Sequence, residues 1–201
     1  MERFTNADCA DCWRDPATAK AVPGTAVLDW VLPGAQGDDA PLSAVASGDS
    51  ALRLEAIGEP MPRTSTVKTS PVTPQAALKK SVLRVARGLA LSGYIGASIE
   101  LKPAPTQAKA ARVTAWLALV ETLPAGLEGS PVERNLVRNM FQSNWNLRKK
   151  LSKSEQNHWF DQRSMSVTEG VNPDRLKVIG WVQDDQGRIL AAAQSMCSTV
   201  P

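Results

Sequence analysis

Two of the three cysteines of this 201-residue chain stand three residues apart near its start, in FTNADCADCW, residues 4–13. The spacing Cys9-x-x-Cys12 fits three chemistries: a redox pair, half of a metal site, or an inert pair or structural disulfide. A short apolar strand over Met1–Thr5, followed by Asn6 or Asp8 as cap, predicts a helix beginning around Cys9. Unpaired backbone N–H groups at such a helix start favour negative charge and lower a thiol pKa. Cys12 then lies one turn away, close enough to form or resolve a disulfide. Cys9 is therefore the candidate nucleophile and Cys12 the resolving thiol. Asp11 opposes a thiolate, whereas Arg14 offsets that effect. Trp13, directly after the pair, fits a docking or shielding role beside the thiolates as well as it fits core packing.

Little else in the chain offers competing chemistry. Cys9, Cys12, Cys197 and His158 number enough for a tetrahedral zinc site, but the last two lack paired ligand spacing, so no metal and no cofactor is expected. His158 is the only histidine, which leaves serine-triad and histidine-rich metal catalysis unsupported. Asp38-Asp39 and Asp184-Asp185 fall at cap or turn positions and read as structural. Gly93 and Gly96 belong to no phosphate-binding loop.

Charge is balanced, with 23 Lys and Arg against 20 Asp and Glu. Arg148-Lys149-Lys150 with Lys153 reads as a solvated loop, so no nucleic-acid partner is expected. No run of eighteen apolar residues exists, which predicts a chain that is not transmembrane. No signal peptide is visible, yet strand character begins almost at Met1, so the numbering is expected to lack an upstream segment. The expected location is periplasmic or secreted, otherwise cytoplasmic.

The elements that would position the pair alternate as β, α, β, α, β, α over the front of the chain. Thr25–Leu32 is apolar and β-rich, and Pro33-Gly34 stops it. Asp39 and Pro41 open one or two short helices ending at Gly58. Arg63–Val72 reads as a third strand. Thr73-Pro74-Gln75 then opens a helix whose face is Ala77, Leu78, Val82, Val85 and Ala86, closed by Gly88. Beyond Leu89, six strand-like segments carry four of the six tryptophans, and Asp184–Gly187 and Asn172-Pro173-Asp174 mark turns. These runs predict an antiparallel sandwich.

FTNADCADCW resembles the CxxC segment of a thioredoxin-like bacterial family, the domain-of-unknown-function family numbered twelve twenty-three. Leu28-Asp29-Trp30 is similar to the D-x-W element of its second strand, and Thr73-Pro74-Gln75 to its T-P-Q segment. Ala115–Leu119, Val132–Arg138, Lys177–Asp184 and Gly187–Ala193 resemble a strand, a loop and the closing hairpin of that family. The resemblance implies an α+β chain: a thioredoxin-like domain over 1–88, then an antiparallel β-sandwich over 89–201, in a protein usually exported. It also implies a cis-proline facing the CxxC, for which Pro71 and Pro74 are the candidate docking residues. The expected activity is thiol–disulfide exchange with a protein or small-molecule thiol or disulfide. A non-enzymatic envelope binding or assembly protein is the alternative, and a thiolate metal carrier comes last.

Overall fold

A computed structural model describes residues 1–104, 113–145 and 158–195. The chain is rich in β-structure, with ten strands and two α-helices among these residues. One sheet has the order β10 (Ile189–Gln194), β9 (Leu176–Asp184), β6 (Val113–Leu123), β7 (Arg134–Asn144), β2 (Leu28–Leu32), β1 (Glu2–Asn6), β3 (Ser65–Lys68), and a smaller one the order β4 (Val82–Leu91), β5 (Tyr94–Lys102), β8 (Trp159–Ser166). The chain divides into two compact units: 1–69 with 120–138 and 172–176, and 70–119 with 139–171 and 177–201.

The first unit begins with β1 (Glu2–Asn6), every residue of which is buried. It pairs in parallel with β2 (Leu28–Leu32) and antiparallel with β3 (Ser65–Lys68). Register sets Phe4 beside Trp30, and their rings stack with centroids 6.0 Å apart. Helix α1 (Ala10–Arg14) and helix α2 (Gly48–Ala56) complete the layer. Ser47 caps α2, accepting from the Ser50 N–H, while the Ser50 hydroxyl donates to the Val31 carbonyl at 2.7 Å. Asp39, expected as that cap, sits instead in a 3-10 turn over Gly37–Asp39. The serine nearer the apolar residues of α2 provides the acceptor.

The second unit holds the hairpin β4 (Val82–Leu91) and β5 (Tyr94–Lys102), with β8 (Trp159–Ser166) on the far side of β5. The helix expected after Thr73-Pro74-Gln75 is absent. A 3-10 turn over Ala76–Leu78 leads straight into β4. Burial along Val82–Arg87 alternates residue by residue, so Leu83, Val85 and Arg87 face inward and the period is that of a strand. Valines at 82 and 85 favour this extended form once β5 supplies a partner.

Strand β6 (Val113–Leu123), strand β7 (Arg134–Asn144) and strand β9 (Leu176–Asp184) lie within three residues of the strands that the sequence predicts over Arg112–Glu121, Leu136–Leu147 and Leu176–Gln183. In the second unit the Trp116 and Trp181 rings stack at 5.8 Å. Gly180 lies where the two sheets meet: an added Cβ would stand 2.7 Å from Val85 Cγ2 and 3.0 Å from Ile99 Cδ1.

The turn from β9 to β10 (Ile189–Gln194) is organised by Asp184. Its carboxylate accepts from the Gln186 and Arg188 N–H groups, from the Arg188 guanidinium at 2.8 Å and from Gln75 at 3.1 Å. Burial pushes this carboxyl up, but the bonds from Arg188 and Gln186 outweigh it and hold the pKa below its ordinary value. A depressed native pKa contributes stability above the unfolded value, about 3.9, that is lost as pH falls through the native value. Asp184→Asn is therefore expected to cost about 1–2 kcal/mol at neutral pH. The gap to the unmodified chain should shrink below about pH 4. Urea unfolding at pH 7 and pH 3 checks this, and an equal loss at both pH values would contradict it.

Candidate functional site: the Cys9–Cys12 pair

The pair sits where β1 hands over to α1. Asn6, the last residue of β1, accepts through Oδ1 from the Asp8 N–H, and its carbonyl accepts from the Cys9 N–H at 3.0 Å. These bonds close a turn that places Cys9, rather than Asn6 or Asp8, at the N-cap of α1. Asp8 faces away from the helix and accepts from the Ala35 and Gln36 N–H groups at 2.8 and 3.2 Å. Gly34 leaves the room that the Asp8 carboxylate occupies. The turn is thus tied to β1 on one side and to the loop after β2 on the other.

Cys9 and Cys12 form a disulfide, with Cα atoms 5.3 Å apart. The Cys12 N–H donates to Cys9 Sγ at 3.3 Å. Both cysteines are half-buried, so part of the pair reaches solvent. Asp11 and Arg14 are exposed. A sulfur that already accepts a backbone N–H is placed to be stabilised as a thiolate when the bond opens.

Trp13 lies beneath the pair, 3 % exposed, in a cluster with Ala7, Val31, Ala40, Leu123 and Leu136. Its indole N–H donates to the Glu128 carbonyl at 3.0 Å, and the Arg134 guanidinium stands 4.7 Å from its ring centroid. Arg134 is the residue that sequence reasoning missed. From the start of β7 it donates to the Trp13 carbonyl at 2.9 Å and to Thr18 Oγ1 at 3.1 Å, with the Cys12 carbonyl at 3.5 Å. Its other amino group faces Asp29 of β2 at 3.3 Å, and Arg3 of β1 shares that carboxylate at 2.7 Å. Burial pushes the Arg134 pKa down; the Asp29 charge opposes the shift and the Arg3 charge adds to it. The residues were visible within Arg3, Leu28-Asp29-Trp30 and Val132–Arg138, but no spacing rule joins three positions so far apart in sequence.

Neither candidate proline is cis. The peptide bonds entering Pro71 and Pro74 are trans, and among the described residues the cis bond is Lys102–Pro103. Both belong to the second unit, where Val72 and Thr73 run extended and bond to Ile189. The expected third strand is shorter than its sequence run, ending at Lys68, so the proline ahead of it is Pro62. The Pro62 carbonyl accepts from Asn6 Nδ2 at 3.1 Å, next to the pair.

His158 also lies in the second unit, with Nε2 2.9 Å from Glu100. Cys197 and the Arg148–Lys153 cluster lie outside the described residues. No helix among the described residues is long and apolar enough to cross a membrane.

No protein-family model and no curated protein sequence matches the chain. Among solved structures, HBP35 of Porphyromonas gingivalis is similar over 100% of this chain and 77% of its own, with TM-score 0.50 and 12% identity. A domain of the outer membrane lipoprotein Omp28 from Porphyromonas gingivalis aligns over 64% of this chain and 95% of its own, with TM-score 0.34 and 10% identity. MtrC from Shewanella baltica OS185 aligns over 57% of this chain and 21% of its own, with TM-score 0.31 and 9% identity. At such identities the HBP35 likeness concerns the fold alone, and the two weaker ones carry no argument.

Proposed function

We propose that this chain exchanges disulfides with a protein or small-molecule thiol partner through Cys9 and Cys12. The observation that carries the reading is the half-buried disulfide at the start of α1, directly after β1, with a backbone N–H already on the Cys9 sulfur. Cys9 takes the role of nucleophile and Cys12 that of resolving thiol. The surrounding order supports a thioredoxin-like layer, and with it the resemblance to the family numbered twelve twenty-three. There, β1 and β2 run parallel across α1, and β3 returns antiparallel on the other side of β1. The meeting of two sheets at Gly180 supports a β-sandwich in the second unit. A disulfide persists in an oxidising compartment, which favours the cell envelope or the exterior as its location.

A second reading, a binding or assembly protein, is favoured by the tip of the β4–β5 hairpin. Leu89, Leu91 and Tyr94 are 87 %, 77 % and 54 % exposed there.

Equilibration with glutathione buffers, followed by thiol trapping, separates the two. The pair is expected to show a midpoint between about −120 and −270 mV, the span of exchanging oxidoreductases. Cys12→Ser should then accumulate a mixed disulfide on Cys9. A bond that resists reduction below about −300 mV would end the exchange reading and leave the binding one.

A further inference from the structure

The pair rests on a buried network that holds more cation than anion. Arg3, Asp29 and Arg134 have side chains 7%, 3% and 1% exposed, and two guanidiniums share the single carboxylate. Asp29 is also engaged by the Asn135 N–H at 2.6 Å, and Arg3 Nε is buried with no hydrogen-bond partner. Other carboxylates near the pair do little to balance the excess. Asp8 is taken up by two backbone N–H groups, while Asp11 and Asp15 are exposed, where water screens them, and the exposed Arg14 stands among them. Arg134 is the member that touches the redox helix, at the Trp13 carbonyl and next to that of Cys12. An unbalanced buried cation stabilises an anion formed close to it far more than a solvated cation would. The oxidised pair is neutral, whereas the reduced pair can supply that anion as a thiolate.

We propose that the Arg3–Asp29–Arg134 network stabilises the reduced pair, which makes Cys9–Cys12 an oxidant whose substrates are proteins presenting two thiols. The inference rests on the exchange reading and gives it a direction. A deprotonated partner thiol attacks Cys9 Sγ, forming a mixed disulfide, and the electron pair of the broken S–S bond leaves on Cys12 as a thiolate. The partner's second thiolate then attacks its own sulfur in the mixed disulfide and expels Cys9 as a thiolate. Two electrons have passed from the partner dithiol to the pair. The partner leaves as a disulfide, and its two protons go to Cys12 and to solvent or Cys9. Arg134 and Asp29 touch no reacting atom; they are positioning residues that act through charge and through the carbonyls of α1.

Opposite charge changes supply the test, with the glutathione equilibrium constant of the full chain as readout. Arg134→Gln removes a cation and should make the pair about tenfold harder to reduce, about 30 mV more negative. Asp29→Asn removes the anion and should shift the constant the other way, which a loss of packing alone would not do. Constants within twofold of the unmodified chain, or shifts of the same sign, would overturn the inference while leaving exchange itself intact. Should either variant fail to fold, urea unfolding of the unmodified chain in its two redox states reads the same quantity. The reduced form is expected to be at least as stable as the oxidised one, and a less stable reduced form would overturn the proposal. Absence of any exchange with glutathione would instead count against the proposed function.

Discussion

Cys9→Ser is expected to abolish disulfide exchange while leaving the first unit folded. Cys9 does two separable things. It caps α1 by accepting from the Cys12 N–H, and it carries one sulfur of the half-buried disulfide through which exchange is proposed. Serine is among the preferred N-cap residues, so its oxygen can take over the first task. It cannot take over the second, because an alcohol forms no disulfide under these conditions. The lost cross-link closes a very short loop, for which chain entropy allows about 2 kcal/mol at most. The regained cap returns part of that, about 1 kcal/mol. Oxidation of a model dithiol peptide should therefore fall to background, with only a small shift in the urea midpoint. Cys12→Ser should differ in kind: given oxidised glutathione, the Cys9 thiolate attacks it and releases one glutathione thiolate, so a mixed disulfide forms on Cys9 and is not resolved. If Cys9→Ser still exchanges while Cys12→Ser does not, the two roles are reversed. If Cys9→Ser unfolds, the disulfide is a structural staple and the loss of exchange says nothing about chemistry.

What was legible in the sequence follows from how far apart the cooperating residues stand. Cys9 and Cys12 act across one turn, so spacing alone gave the pair and the helix beneath it. The strands of the second half announce themselves by alternation and by turn residues such as Asp184–Gly187, and their bounds shift by few residues. The helix expected over Thr73–Gly88 failed because Leu78, Val82 and Val85 satisfy helical spacing, while Leu83, Val85 and Arg87 satisfy that of a strand face. Only pairing with β5 decides between the two. The charged support of the site was not legible. Arg3, Asp29 and Arg134 each read as ordinary polar residues in or near a strand, and the sheet brings them together across intervals of 26 and 105 residues. The cis geometry expected at Pro71 or Pro74 failed for a related reason: the third strand ends at Lys68, well before the Thr- and Val-rich run that suggested it does.

The same long-range logic predicts the largest loss of stability, at Glu2→Ala. Glu2 lies within the strand expected over Met1–Thr5, where sequence gives its charge no partner, yet it is 5 % exposed on β1. Its carboxylate accepts from Arg53 Nε and Nη2, each at 2.8 Å, and from the Trp30 indole N–H at 3.2 Å. The pair ties α2 to the strand that leads into Cys9, and Trp30 fixes the carboxylate from β2. Alanine removes the anion and leaves the Arg53 guanidinium buried without that carboxylate. Breaking a buried ion pair from one side costs about 3–5 kcal/mol, because the carboxylate no longer offsets the desolvation of the remaining charge. The indole N–H loses its acceptor as well, which adds about 1 kcal/mol or more. Glu2→Met combined with Arg53→Met should be milder than Glu2→Ala alone, since neither charge then remains and the two chains fill similar volume. Denaturation of the three proteins by urea checks the order. A single variant less costly than the double would mean that water reaches Arg53 and that the pair stabilises little. The expected order would instead place α2 and β1 among the elements whose packing holds the Cys9 turn in register, because β1 runs without interruption from Glu2 to the Asn6 that closes the turn on Cys9.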